Sequence, residues 1–270
     1  MGTASLLRIA VLAGLLYAAV PMRIHGAFAG AVALMGGLLV ETAICSHQAK
    51  RLGDPPEAPD DTLPSGMRSM ALYYAPLAAT MVVMWGGRAM LLGILSYSRE
   101  GSLTLAAWAA SWGFVIMIAN LSRMVQQLVL KYEGKVPRSR LVALAHLSGG
   151  FTTLLILGLG YTSAGHALLS KLIGSDPWLL AASLTIVKLS VAVPILTAWQ
   201  NLLQGLHIHR RHNRVLNWAA IAGLSLTLGS SAWAIGYELS GPATGALSLT
   251  AGLTLEVALL LLSFRYRFRL

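Results

Sequence analysis

Cysteine and acidic side chains are the scarce residues of this 270-residue chain. The single cysteine, Cys45, excludes an intrachain disulfide and any multi-cysteine metal or iron–sulfur site, and leaves the thiol as a small apolar packing group. Only 10 Asp and Glu stand against 20 Lys and Arg, and charged residues make up 11% of the whole, too few to solvate a soluble domain. What replaces them is apolar: 56% of residues are hydrophobic and the mean hydropathy is +0.67, which requires several membrane spans. The formal charge of +10 would suggest a nucleic-acid partner in a soluble protein, but no basic segment with interleaved aromatics and no reading motif accompanies it. Also missing are a nucleophile–base pair, a phosphate-cradling glycine loop and paired carboxylates at a common depth, so nothing points to an enzyme, a cofactor or a catalytic residue. Arg8 interrupts the first apolar run, which favours a retained helix over a cleaved signal, and Leu6 stands where a myristoylation motif needs Ser or Thr.

The pattern G-x3-G-A-x2-L-x2-G-L-x2-E occurs twice, from Gly26 to Glu41 and from Gly241 to Glu256. Upstream of each copy is an apolar segment sharing Ala-Gly-Leu, at Ala13-Gly14-Leu15 and Ala222-Gly223-Leu224, with a longer connection in the second copy. The duplicated unit is therefore at least a helix pair. Its small residues Gly26, Gly30, Gly37, Gly241, Gly245 and Gly252 are expected to let helices approach closely. Glu41 and Glu256, equivalent by repeat, are expected to share a structural task, pairing with an arginine of the preceding helix or loop, with proton coupling as the functional alternative.

A bilayer core takes about 20 apolar residues as helix, and cutting the chain at its charge and Pro/Gly clusters gives about eight spans, near 4–20, 26–46, 70–96, 102–122, 142–160, 178–204, 215–236 and 241–263. The loops alternate: Lys50, Arg51 and Arg68 on one side, Arg99 with Glu100 on the other, then Arg123, Lys131, Lys135, Arg138 and Arg140 back on the first. Lys171 with Asp176, then Arg210, Arg211 and Arg214, then Glu238, then Arg265, Arg267 and Arg269 continue the series. The positive-inside rule places both termini in the cytoplasm of a plasma or inner membrane and accounts for the excess charge as a topology signal. The proline- and acid-rich interval from Gly53 to Gly66 reads as a cytoplasmic linker, giving a division into 1–52, a linker at 53–69 and a bundle at 70–270. Two helices precede this linker and six follow, as expected of two six-helix halves of which the first lacks four helices.

A linker joining six-helix halves, each ending in a Gly-rich helix pair, resembles the multidrug/oligosaccharidyl-lipid/polysaccharide (MOP) exporter superfamily, and within it the progressive ankylosis transporter family. Leu7-Arg8-Ile9-Ala10-Val11-Leu12, then His25-Gly26-Ala27, Gly37 and Glu41, are similar to that family's closing helix pair. Tyr74-Ala75-Pro76-Leu77-Ala78 with Arg88 resembles its first helix after the linker, and Val187-Lys188-Leu189 through Pro194 to Gly205 its fourth helix of that half, with Lys188 at a basic position. The resemblance implies an all-α, MOP/MATE-like half bundle of six helices plus the last two of the preceding half. It also implies export of a small anion, such as pyrophosphate, a nucleotide or an organic acid like citrate. A flippase for lipid-linked oligosaccharide is the alternative in the same superfamily, and a truncated, non-transporting membrane scaffold the alternative outside it.

Ionisable groups near the bilayer centre cost at least about 2.5–3.5 kcal/mol and normally face the bundle interior or a wet cavity. Arg88, within the 70–96 span, and Lys188, about ten residues inside the 178–204 span and roughly 15 Å deep, are the candidates for binding an anionic substrate at the midplane. Hydrogen bonding to carbonyls or snorkelling along a tilted helix would explain each without a substrate. Asn120 and Arg123, one turn apart, are weaker candidates for the same path, and Asn201 with Gln204 repeat that spacing. Pro194, six residues after Lys188, is a candidate hinge, since proline frees a carbonyl and bends a helix. His207, His209 and His212 beside Arg210 and Arg211 lack the carboxylate or cysteine of a zinc pattern, and read as a basic loop near anionic headgroups rather than a metal site.

Overall fold

Inside a bilayer every backbone N–H and C=O must be satisfied within its own segment, so apolar runs of this length are driven to helix. The computed structural model describes residues 2–19, 21–22, 26–52, 66–174, 176–210 and 212–268, and these are helical nearly throughout, with no strand among them. Most of the expected linker, with Pro55, Pro56, Pro59, Pro64 and its acids, lies outside the described residues, as do His25, Arg211 and Arg269. The chain divides into two compact units, Met1–Pro64 and Ser65–Leu270.

Among the described residues five helical stretches are long and apolar enough to cross a membrane: Phe28–Gln48, Gly101–Tyr132, Arg138–Tyr161, Asn213–Gly236 and Gly241–Arg265. A bent pair, Pro177–Leu189 with Val193–His209, makes a sixth if it counts as one span. Five to six such stretches stand against the eight expected, so an all-helical chain suited to a membrane is what the structure supports, and the apolar part of the first helix, Leu6–Ala19, is shorter than the rest. Large apolar side chains such as Leu147, Phe151, Leu154, Trp218 and Trp233 project outward, the arrangement a lipid solvent permits and water does not.

The first unit is a hairpin of α1 (Gly2–Ala19) and α2 (Gly26–Leu52). A Cβ added at Gly37 would meet Arg8 Cγ at 3.2 Å and the Arg8 carbonyl at 3.3 Å, and one at Gly36 would meet Leu15 Cδ1 at 2.7 Å. Around Gly26 and Gly30 nothing lies within 4 Å, so in this hairpin the close approach expected of those two falls to Gly36 and Gly37. Across it Arg8 Nη1 donates to Glu41 Oε2 at 2.9 Å.

The second unit runs α3 (Met67–Ser96), α4 (Gly101–Ala119), a 3-10 turn (Asn120–Arg123), α5 (Met124–Tyr132), α6 (Arg138–Tyr161), α7 (Ser163–Ile173), α8 (Pro177–Leu189), α9 (Val193–His209), α10 (Asn213–Gly236) and α11 (Gly241–Phe268). α10 packs along both α11 and α3, α6 and α5 pack on α9, and α4 packs on α8. The main core joins Leu91 and Leu95 of α3 to Trp108, Trp112 and Val115 of α4, Ile156 of α6, Ile186 and Val187 of α8, and Ala246 of α11. Trp108 and Trp112 stack with ring centroids 4.9 Å apart, one turn along α4. Gly245 lies flat against that stack, since a Cβ there would come 2.5 Å from Trp108 Cζ3; at Gly241 the neighbours are Ser98 and Thr104, hydroxyl to hydroxyl at 3.1 Å. α7 is an addition to the expected spans, a short helix capped by Thr162 Oγ1, which accepts from Gly165 N at 3.1 Å.

The two copies of the repeat differ in how their helices are matched. α1 stops at Ala19, soon after Gly14, while α10 continues from the equivalent Gly223 to Gly236. The longer connection of the second copy is thus taken up largely as helix, and it slides one partner along the other. Gly37 of α2 faces Arg8, whereas its equivalent Gly252 of α11 faces Gly223 and Thr227.

Candidate functional site

The chain from Pro177 to His209 is one apolar segment broken in the middle. α8 starts on a proline, whose missing N–H costs nothing in a first turn, with Asp176 Oδ1 accepting from Trp178 N at 3.0 Å. It stops at Leu189; Ser190–Ala192 form a turn, and α9 sets off at 44°. Val193 N donates to Ser190 O at 2.9 Å, closing that turn tightly. Pro194 therefore lies in the first turn of α9, just after the break, rather than at a kink inside a continuous helix. The hydroxyls of Ser183 and Ser190, on either side of Lys188 in α8 and the turn, are buried without a hydrogen-bond partner.

Lys188 thus ends a helix instead of standing midway along one. Its stem crosses Gly160 of α6, where a Cβ would meet Lys188 Cγ at 3.2 Å, and Nζ rides 5.6 Å above the Tyr161 ring. The residue is exposed. Arg88 of α3 is half-buried, its guanidinium 4.9 Å over Trp85, one turn back on the same helix. Arg123, in the 3-10 turn, is near enough for its like charge to oppose that of Arg88. Asn120 and Arg123 are both exposed, and Lys188 is held separately on α6.

Beyond the break α9 turns polar on one face. Gln200, Gln204 and His207 recur at helical spacing; both glutamines meet Glu256 of α11, and His207 meets the Leu260 carbonyl and the Phe264 ring further along it. Gln200 Nε2 donates to Glu256 Oε1 at 2.7 Å and Gln204 Nε2 to the same oxygen at 3.2 Å. His207 Nε2 lies 3.1 Å from Leu260 O, which accepts only and so fixes a proton on that nitrogen. Glu256 is buried and its Cβ packs on Gly223 of α10, so three helices meet there. The expected arginine partner is present for Glu41 and replaced by two glutamines for Glu256. Asn217 stands at the second-copy position equivalent to Arg8, and the slide in register moves Glu256 toward Gly223. Asn201, by contrast, turns back to donate to Thr197 O at 2.8 Å.

At the end of the bundle Glu133 is buried, accepting from Arg138 Nε at 3.0 Å, with Arg210 Nη2 at 3.7 Å. Both guanidiniums also lie over the Phe264 ring, at 5.7 and 5.0 Å. This cluster ties the turn before α6, the end of α9 and the end of α11 together, and Gly134, at φ +81°, supplies the left-handed residue that turn requires. His207 points into α11 while His209 is exposed, and no group of His, Cys, Asp and Glu among the described residues converges as a metal site.

The sequence signal for the glutamine face is weak: Gln200, Gln204 and His207 form an i, i+4, i+7 stripe, and only the latter two bear on the polar helix end and basic loop that the sequence suggests. No protein-family model, no curated protein and no solved structure matches this chain.

Proposed function

We propose that this chain is a membrane transporter-like protein that exports a small anion of the phosphate or organic-acid class by alternating access, with α9 swinging against α8 about Ser190–Ala192. The observation that carries the reading is the break itself, with Lys188 beside it. Discontinuous spans are where transporters gather substrate sites, because a helix end and its free polar groups replace an unbroken apolar cylinder. Lys188 offers the anion a full charge at that end, and the hydroxyls of Ser183 and Ser190, buried without partners in the same broken segment, are hydrogen-bonding groups that its opening would uncover.

The test is uptake of labelled pyrophosphate and of labelled citrate into vesicles holding the protein, set beside Lys188→Ala and Arg88→Ala. Flux in the wild type that falls in both variants supports the assignment; unchanged flux in both refutes the site, and no flux in any protein refutes transport. The exposure of Lys188 favours a second reading, a flippase for an anionic lipid-linked oligosaccharide, whose headgroup would approach from the bilayer. Accelerated scrambling of a fluorescent lipid-linked phosphate, with no uptake of soluble anions, would select it. Failure of both assays leaves the membrane scaffold.

A further inference from the structure

Three carboxylates in the described residues sit inside helix contacts, and two of them are neutralised by arginine: Glu41 by Arg8, and Glu133 by Arg138 and Arg210. The third, Glu256, is buried within the apolar stretch Gly241–Arg265 and contacts only amides. We propose that Glu256 is a proton-binding site, a carboxyl group that takes up and releases a proton as the bundle changes state, with Gln200 and Gln204 as its reversible partners. The coupling role rests on the transport reading above; the occupancy of the site by a proton does not.

Neutralisation is required because a carboxylate ion shut from water without a counter-charge is far costlier than the neutral acid. None of the neighbouring elements supplies the counter-charge among the described residues. α9 contributes His207, turned to Leu260 O, and Arg210, engaged with Glu133 and Phe264. His209 of α9 is exposed; α10 contributes Arg214, exposed in its first turn, and His212 at its N-cap; α8 contributes Lys188, on Tyr161; α3 contributes Arg88, on Trp85, and Arg68, exposed in its first turn; α4 carries no charge, and Arg265 of α11 itself is exposed. The repeat sharpens the contrast. The same carboxylate in the first copy has an arginine, which only donates and therefore pins the ion. A glutamine both donates and accepts: its N–H groups serve the ionised carboxylate, and turned over, its carbonyl receives the O–H of the neutral acid. With Oε1 already facing both amides, Oε2 is the oxygen left to carry the proton.

Because α9 lies beyond the break from α8, the partners of Glu256 belong to the segment proposed to swing. Separation of α9 from α11 would remove both amides at once and expose the carboxyl group to exchange. The proton would then be bound in one arrangement and released in the other.

The test is an infrared difference spectrum of the purified full chain in lipid nanodiscs across a pH titration. The expected result is a carboxylic-acid C=O band at neutral pH that is lost in Glu256→Gln, retained at a shifted position in Glu256→Asp and unaffected by Glu41→Gln. Absence of the band from the wild type, or its persistence in Glu256→Gln, overturns the proposal. Disappearance of the band on adding sodium at fixed pH overturns it in favour of a monovalent cation held by the carboxylate and glutamine oxygens. Coupling is read separately, from pyrophosphate uptake with and without an imposed pH gradient: the wild type responds and Glu256→Gln loses the response. A wild-type flux indifferent to the gradient overturns the coupling. If no anion moves under any condition, the transport reading fails, while the band still decides the proton site.

Discussion

Gly252→Ala provides the sharpest test of the packing described here. A Cβ at this position would collide with Thr227 Oγ1 and with the carbonyl oxygen of Gly223, and would sit 3.2 Å from Thr227 Cβ. The obstacle is partly backbone, and Thr227 is itself anchored by donating to Gly223 O at 3.0 Å, so neither group can rotate away freely. Relief requires α10 and α11 to separate. Overpacking of a close contact costs about 1–3 kcal/mol, and the rigid carbonyl puts this case at the upper end, about 3 kcal/mol. The displacement also shifts Glu256, one turn further along, relative to Gln200. The assay is unfolding of the purified protein in mixed micelles, with Gly30→Ala as reference because no atom lies within 4 Å of a Cβ there. Adding Thr227→Ala should recover only part of the loss, since the hydroxyl disappears and the Gly223 carbonyl stays. Equal stability of Gly252→Ala and Gly30→Ala would refute the reasoning.

Other substitutions probe separate contacts. In a double-mutant cycle Arg8→Ala and Glu41→Ala should couple by about 0.5 kcal/mol, discounted because the Arg8 side chain is 37% exposed, and the swapped pair Arg8→Glu/Glu41→Arg should restore it. Pro194→Ala should leave the 44° bend in place, because Ser190–Ala192 make the break before the proline; spin-label distances between α8 and α9 that report a straightened helix would contradict this. Asp176→Ala should cost about 1 kcal/mol through loss of the cap, visible as faster hydrogen exchange at the Trp178 amide while α9 is unchanged.

Helix positions were legible because apolar runs separated by charge clusters leave little alternative in a bilayer, and the Arg8–Glu41 pair was legible because both residues lie on one repeated hairpin. The break in α8–α9 was harder to read. Pro194 advertises a bend, yet a proline is equally content in the first turn of a new helix, and Ser190-Val191-Ala192 carries no turn signal of its own. The break falls at Ser190–Ala192, before Pro194, so Lys188 stands in the last turn of α8 rather than within a continuous helix. The pairing of the α9 glutamines with Glu256 is not legible in the sequence, because the partners lie more than 50 residues apart and the repeat leads one to expect Glu256 to behave like Glu41. The slide that separates the two copies depends on how the extra residues of the second connection are spent, as helix or as loop, which residue type alone does not determine.

The 13 residues of α8 extend only about 20 Å, well short of a hydrocarbon core of about 30 Å. α8 is therefore long enough to cross a bilayer only together with α9, and as a span the two would have to enter it as one unit. A substitution that strengthened α8 as a separate segment would endanger biogenesis before it altered anything in the finished molecule.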